Sequence, residues 1–147
     1  MNKHNSKIFI IDDDEEVRQS LSLLLKSEGY QTESFPSTAI LLETKNHNST
    51  GCILLDVFLG GKTGLELQSE IETKFENLPI IFISGQGNIP MSVEAMKKGA
   101  VSFLQKPIDD KELLKAIEEA LTRSDELIKK QNEIEKFKSL VNSLTAR

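Results

Sequence analysis

Five residues in this sequence have the types and positions to do chemistry together. Asp12 and Asp13 follow the apolar run Ile8–Ile11, and Asp56 follows Ile53-Leu54-Leu55. Ser84 follows Ile80–Ile83, and Lys106 closes the run that begins at Val101. Each alone has an ordinary explanation. An Asp after an apolar run forms turns or caps helices, and a Ser or Lys there is commonly solvated. As a set they suit phosphorus chemistry. Two or three carboxylates with a backbone carbonyl and water make a hard oxygen site for Mg²⁺, which keeps several waters and also takes phosphate oxygens. A carboxylate beside such an ion can attack phosphorus and become an acyl phosphate. Phosphoryl transfer asks chiefly for positioning and for neutralisation of oxygen charge. The Lys106 ammonium can share in that neutralisation, the Ser84 hydroxyl can bond one phosphoryl oxygen, and Gly85 leaves room for a donor.

These residues can meet only if the runs before them are neighbouring strands. Short apolar runs do alternate with amphipathic stretches. Ile8–Ile11 reads as a strand buried on both faces, and Val17, Leu21, Leu24 and Leu25 then recur at helical spacing up to Gly29. Residues 31–35 form a weaker, partly polar strand suited to an edge. Ser37 can cap a short helix containing Ile40, Leu41 and Leu42. Residues 46–50 read as a polar loop in which His47 is solvated. The third strand ends at Asp56, and Gly60-Gly61 breaks the chain before a helix over 64–75. The fourth strand covers 79–83, and the helix holding Val93, Ala95 and Met96 stops at Gly99. Val101–Leu104 is the fifth strand, and Asp109 or Asp110 caps the last helix. Five βα units in a row predict an α/β fold, a five-stranded parallel sheet doubly wound with helices, with an extended C-terminal helix. Such sheets bind ligands at the carboxyl ends of their strands, where all five residues fall. The triplet Asp12-Asp13-Asp14 leaves the register open. With Ile8–Ile11 as the strand, Asp12 and Asp13 sit at its mouth and Asp14 starts the helix, where negative charge suits the dipole.

Composition narrows the classes. The chain of 147 residues carries a net charge of −5, which argues against this segment gripping nucleic acid by itself. The single cysteine, Cys52, lies inside an apolar run and reads as a small buried hydrophobe, consistent with a reducing, cytoplasmic setting. No apolar stretch approaches the ~20 residues of a membrane span, and the N-terminus shows no signal-peptide pattern. A dinucleotide-binding enzyme is only weakly supported: Gly85-x-Gly87 lacks the third glycine, since Pro90 stands there, and it follows the fourth strand rather than the first.

The runs Ile11-Asp12-Asp13-Asp14-Glu15-Glu16-Val17-Arg18, Leu54-Leu55-Asp56, Ile83-Ser84-Gly85 and Lys106-Pro107 resemble the motif set of response-regulator receiver domains of two-component signalling. The resemblance covers about residues 6 to 123. The stretch from Gly85 to Ala100 resembles the FixJ-type subfamily, LuxR/NarL-class transcription regulators. The resemblance implies a flavodoxin/CheY-like fold with Asp56 as phosphoacceptor and Mg²⁺ held by Asp12, Asp13, Asp56 and the Phe58 backbone carbonyl. It also implies that Ser84 and Lys106 hold the phosphoryl group, with Phe103 as an aromatic switch. The implied partners are a sensor histidine kinase, a second copy of the chain, and DNA only through a C-terminal domain absent from this sequence. A phosphoacceptor of this kind turns over no external substrate. The sequence departs from the family pattern after the acceptor, where Leu59-Gly60 stands in place of a common Met-Pro pair. Two glycines there loosen the loop. Phe58 and Gln86 are placed to tune the lifetime of the acyl phosphate through water access.

Two other functions use similar residues. An aspartyl-phosphate hydrolase also needs a second general acid just beyond the nucleophile, and Phe58 occupies that neighbourhood. An interaction module with a vestigial acidic pocket is disfavoured by the completeness of the set.

Helical patterning continues without Pro or Gly from Asp109 to Leu144. Ile134, Phe137, Val141 and Leu144 follow the 3-4-3 spacing of a coiled-coil seam, with Lys130 in the same phase earlier and Ser124 and Gln131 interrupting nearby. The tail is therefore either an amphipathic helix lying on its own domain or a signalling helix that dimerises. The expected organisation is a receiver over 1–123 and a helical linker over 124–147. The final residues, Leu144-Thr145-Ala146-Arg147, resemble the opening of a LuxR-type helix-turn-helix, which makes the chain a piece of a longer regulator.

Overall fold

The computed structural model describes residues 5–44, 49–59, 62–85 and 89–145, with the side chains of 58, 59 and 62–65 left out. The elements run β1 (Lys7–Ile11), α1 (Glu15–Ser27), β2 (Gln31–Phe35), α2 (Thr38–Glu43), β3 (Gly51–Asp56), β4 (Phe58–Leu59), β5 (Lys62–Thr63), α3 (Gly64–Lys74), β6 (Ile80–Ser84), α4 (Ile89–Lys97), β7 (Ser102–Gln105) and α5 (Asp110–Thr145). Five strands pair in parallel in the order β2-β1-β3-β6-β7. The chain leaves β1 for β2 on one side and then crosses to β3 on the other. That reversal opens a crevice at the carboxyl ends of β1 and β3.

Alternation along each central strand builds two cores. Ile8, Ile10, Cys52, Leu54, Ile81 and Ile83 face the layer of α1 and α5. Phe9, Ile11, Ile53, Leu55, Ile80 and Phe82 face the opposite layer, with Leu41, Ile71 and Ala95. Both faces are covered, which is why these strands read as unbroken apolar runs. Tyr30 closes the first core beside Leu25 and Cys52, and Phe9 stacks on Phe35 at 6.3 Å in the second.

The helix ends follow their residues. Asp14 caps α1 by accepting from the Glu16 N–H, and Ser37 caps α2 by accepting from the Ile40 N–H. Asp109 accepts from the Glu112 N–H at 3.1 Å, so the choice between Asp109 and Asp110 falls to the former. Gly29 and Gly99, which follow α1 and α4, have φ of 93° and 104°, a region that L side chains avoid. The small antiparallel pair β4–β5 was not expected from sequence: two-residue strands carry no period to detect. Gly60 and Gly61, expected as a chain break between them, lie outside the described residues. So do His47, Gln86, Gly87, and the ends of the chain at 1–4 and 146–147.

Helix α5 has 36 residues and is about 54 Å long at 1.5 Å per residue. It buries Leu113, Ala116, Ile117, Ala120, Leu121 and Ser124. The Ser124 hydroxyl donates to the Asn77 carbonyl at 2.6 Å and accepts from the Gly51 N–H at 3.1 Å. Asn77 in turn donates to the Ser49 carbonyl. The residue that breaks the apolar spacing is thus the tie that fastens α5 to the start of β3. Glycine is required on the strand side of that tie, because a Cβ at position 51 would stand 2.4 Å from the Lys7 carbonyl oxygen. Past Gln131 every described residue of the helix is exposed, so the tail does not lie on its own domain there. Among the described residues no helix is long and apolar enough to cross a membrane.

Candidate functional site

The parallel pairing sets β1 and β3 side by side, with Ile11 opposite Leu55, so that Asp12 and Asp56 leave neighbouring strand ends. Asp12 is fully buried and Asp56 nearly so, while Asp13 is exposed. One carboxylate oxygen from each of Asp12, Asp13 and Asp56 lies within 4.8 Å of the others. Asp12 is held from two sides: its Oδ1 accepts from the Asp14 N–H at 2.9 Å, and its carbonyl accepts from the Arg18 guanidinium. Asp14 is spent on the helix cap, which fixes the register: the first two acids face the crevice and the third serves α1.

Lys106 arrives from the edge strand. Its backbone N–H donates to the Ser84 carbonyl at 2.8 Å, continuing the β6–β7 ladder by one residue. Its ammonium lies 2.8 Å from Asp12 Oδ2 and 3.5 Å from Asp56 Oδ2. Burial pulls the Lys106 pKa down, but the hydrogen bond to Asp12 and the charges of Asp56 and Asp12 outweigh it, and the net shift is upward. The ammonium therefore stays charged. Three carboxylates against one ammonium leave an excess of two negative charges, two of the carboxylates buried. That donor set fits a hard divalent cation, which would bind all-oxygen ligands and balance the charge.

Ser84 is buried at the end of β6 and Gly85 beyond it is exposed. Among the described residues a Cβ at position 85 would meet Lys106 Cδ at 3.8 Å, an ordinary contact. Phe103 is half-buried, its ring 6.2 Å from that of Phe82 on the α4 side of the sheet, within β7 and outside the carboxylate cluster. Phe58 follows Asp56 by two residues in β4. Cys52 is fully buried and burial pushes its thiol pKa well up, which keeps it a core residue. Arg18 was quoted from sequence only as part of a run. Its hold on the Asp12 carbonyl is made by the side chain reaching back from the start of α1 over six residues, which no local pattern announces.

A cleft of about 710 Å³ opens next to this cluster, between α1 and the β7–α5 connection. Lys106 lines it together with Val17, Leu24, Pro107 and Ile108.

A doubly wound parallel sheet with three clustered acids and a lysine at its carboxyl edge defines a class of acidic, cation-ready sites. The particular family follows from comparison with known proteins. The model of the response regulator receiver domain matches residues 8–118, and the chain belongs to that family. It is 40% identical to the response regulator protein TodT of Pseudomonas putida over 147 residues, all of this chain and 65% of TodT. It is 40% identical to the transcriptional regulatory protein FixJ of Azorhizobium caulinodans over 119 residues, 81% of this chain and 56% of that protein. The chain thus spans less than two thirds of the length of these relatives. Among solved structures, the response regulator StyR superposes with a TM-score of 0.87 at 38% identity, covering 97% of this chain and 72% of StyR.

Proposed function

We propose that this chain is a phosphoacceptor switch that takes a phosphoryl group on Asp56 from a sensor histidine kinase. The observation that carries the reading is the placement of Asp56: nearly buried at the end of a central strand, 3.5 Å from the Lys106 ammonium and clustered with Asp12 and Asp13. An Asp56 carboxylate oxygen forms a bond to phosphorus as the bond from phosphorus to the donor nitrogen breaks, and the donor leaves with that electron pair. Lys106 faces the oxygen charge that builds up, and the Ser84 hydroxyl donates to one phosphoryl oxygen. Asp12, Asp13, Asp56 and the Phe58 carbonyl are the residues to hold Mg²⁺, which when bound supplies the remaining neutralisation of oxygen charge. Water later cleaves the acyl phosphate, so the chain resets itself and turns over no external substrate.

The readout of the switch is placed in Phe103 and in assembly. The Phe103 ring reorients as Ser84 engages the phosphoryl group, altering the β7 edge. Two copies then pair through the receiver surface and the C-terminal helix. Residues 1–123 act as the receiver and 124–147 as its linker, with Ser124 as the joint. The names of the relatives, response regulator and transcriptional regulatory protein, support a transcriptional output delivered by a DNA-binding domain outside this chain, in the cytoplasm. The cleft beside Lys106, apolar along Val17, Leu24 and Ile108 and rimmed by Asp14, Glu16 and Asp110, supports docking of the kinase helix that presents the phosphohistidine.

The test is intact mass after incubation with Mg²⁺ and acetyl phosphate. One phosphoryl gained by the parent and none by Asp56→Asn is the expected result. No gain in a folded parent would sink the reading.

A further inference from the structure

The exposed end of α5 carries an apolar strip with a charge pattern beside it. Ile134, Phe137, Leu140, Val141 and Leu144 are 39% to 72% exposed, in a helix whose other apolar residues are buried or half-buried. The seam begins at a definite place. Leu127 and Ile128 are half-buried, and Gln131 donates to Glu76, in the turn after α3, at 3.2 Å, so the helix face before Asn132 is taken by its own receiver. The first free seam position is Ile134. Lys130, a poor residue for such a layer, falls before that point.

The geometry points to a parallel, in-register coiled coil with a second copy of this chain over residues 133–144, keyed by Glu133 and Lys138. It rests on, and sharpens, the pairing of copies proposed above. With Ile134 and Val141 at one seam position and Phe137 and Leu144 at the other, Glu133 and Lys138 fall on the two flanks. Two parallel helices in register set Glu133 of each against Lys138 of the other, giving two opposite-charge pairs. The reversed orientation over the same seam sets Lys138 against its own equivalent, a like-charge contact that the parallel pair lacks. Charge therefore selects the parallel arrangement. Leu140 lies beside the seam and widens the strip. Three helical turns of seam are marginal alone, so the pair forms when the receivers also meet, and it places both C-terminal ends on the same side of the dimer.

Single cysteine variants at the exposed positions, Ile134→Cys and Leu144→Cys, test this under mild oxidation, with buried Cys52 left in place. Crosslinking is read at high protein concentration, with and without acetyl phosphate. Intact mass reports phosphorylation separately, so a missing phosphoryl gain counts against the Asp56 reading alone. Self-crosslinking of each variant in either state is the expected result. Glu133→Lys or Lys138→Glu should weaken the association by about tenfold, since two attractive pairs become repulsive, and the double exchange should restore it. Crosslinks only in the mixture of the two cysteine variants would overturn the proposal in favour of a reversed pair. No crosslink in either state would overturn it outright.

Discussion

Asp12 and Asp56 are held near one ammonium, and removing that ammonium leaves two buried carboxylates without their cation. Lys106→Ala should slow phosphorylation from acetyl phosphate about a hundredfold, the scale on which one positioned charge acts on developing oxygen charge. A time course of intact mass checks this. Tyr30 offers a cleaner titration, because the chain has one tyrosine and no tryptophan. Burial first, then the negative charge of Glu118, raises its pKa above the usual phenol value. The unfolded chain therefore loses the phenolic proton at a lower pH than the folded one. Stability is unaffected below about pH 10 and falls as pH rises from there through the folded pKa. Urea melts across that range, with absorbance of the phenolate as a second readout, should show the decline. Tyr30→Phe should flatten it.

Among the elements, the five strands and five main helices were legible because each central strand is an unbroken apolar run and each helix is amphipathic. Asp12, Asp13, Asp56 and Lys106 could be grouped before any coordinates, since a parallel sheet brings all strand ends to one edge. The β4–β5 pair was not legible, being too short for a period. Ser124 was misleading for a physical reason. A polar residue in an apolar stripe reads as an interruption, and only tertiary contact turns it into a bridge between the Gly51 N–H and the Asn77 carbonyl. Ser124→Ala leaves both groups buried without that partner and should cost about 1–3 kcal/mol in urea unfolding. An equal midpoint in mutant and parent would remove Ser124 as the fastening of α5.

For the whole molecule, stability and the proposed assembly fall on different parts of the chain. Leu54 is fully buried at the centre of the sheet, so Leu54→Ala should lose about 2–5 kcal/mol. Leu144 is 72% exposed, and Leu144→Ala should change the stability of the dilute monomer by no more than about 0.5 kcal/mol while weakening association. Denaturation and sedimentation on the same two variants separate these effects.

Strand β3 has a different neighbour at each end: the acidic crevice at Asp56, and the Ser124 fastening at Gly51. Five steps of about 3.3 Å separate them, roughly 16 Å. No single side chain spans that distance, so under the proposed switch an event in the crevice would reach the root of the tail through packed elements, the sheet or α5 itself, which starts four residues after Lys106. On that reading the sheet would work as a transmission shaft, and its stiffness would set how faithfully a small motion at one rim is delivered to the other.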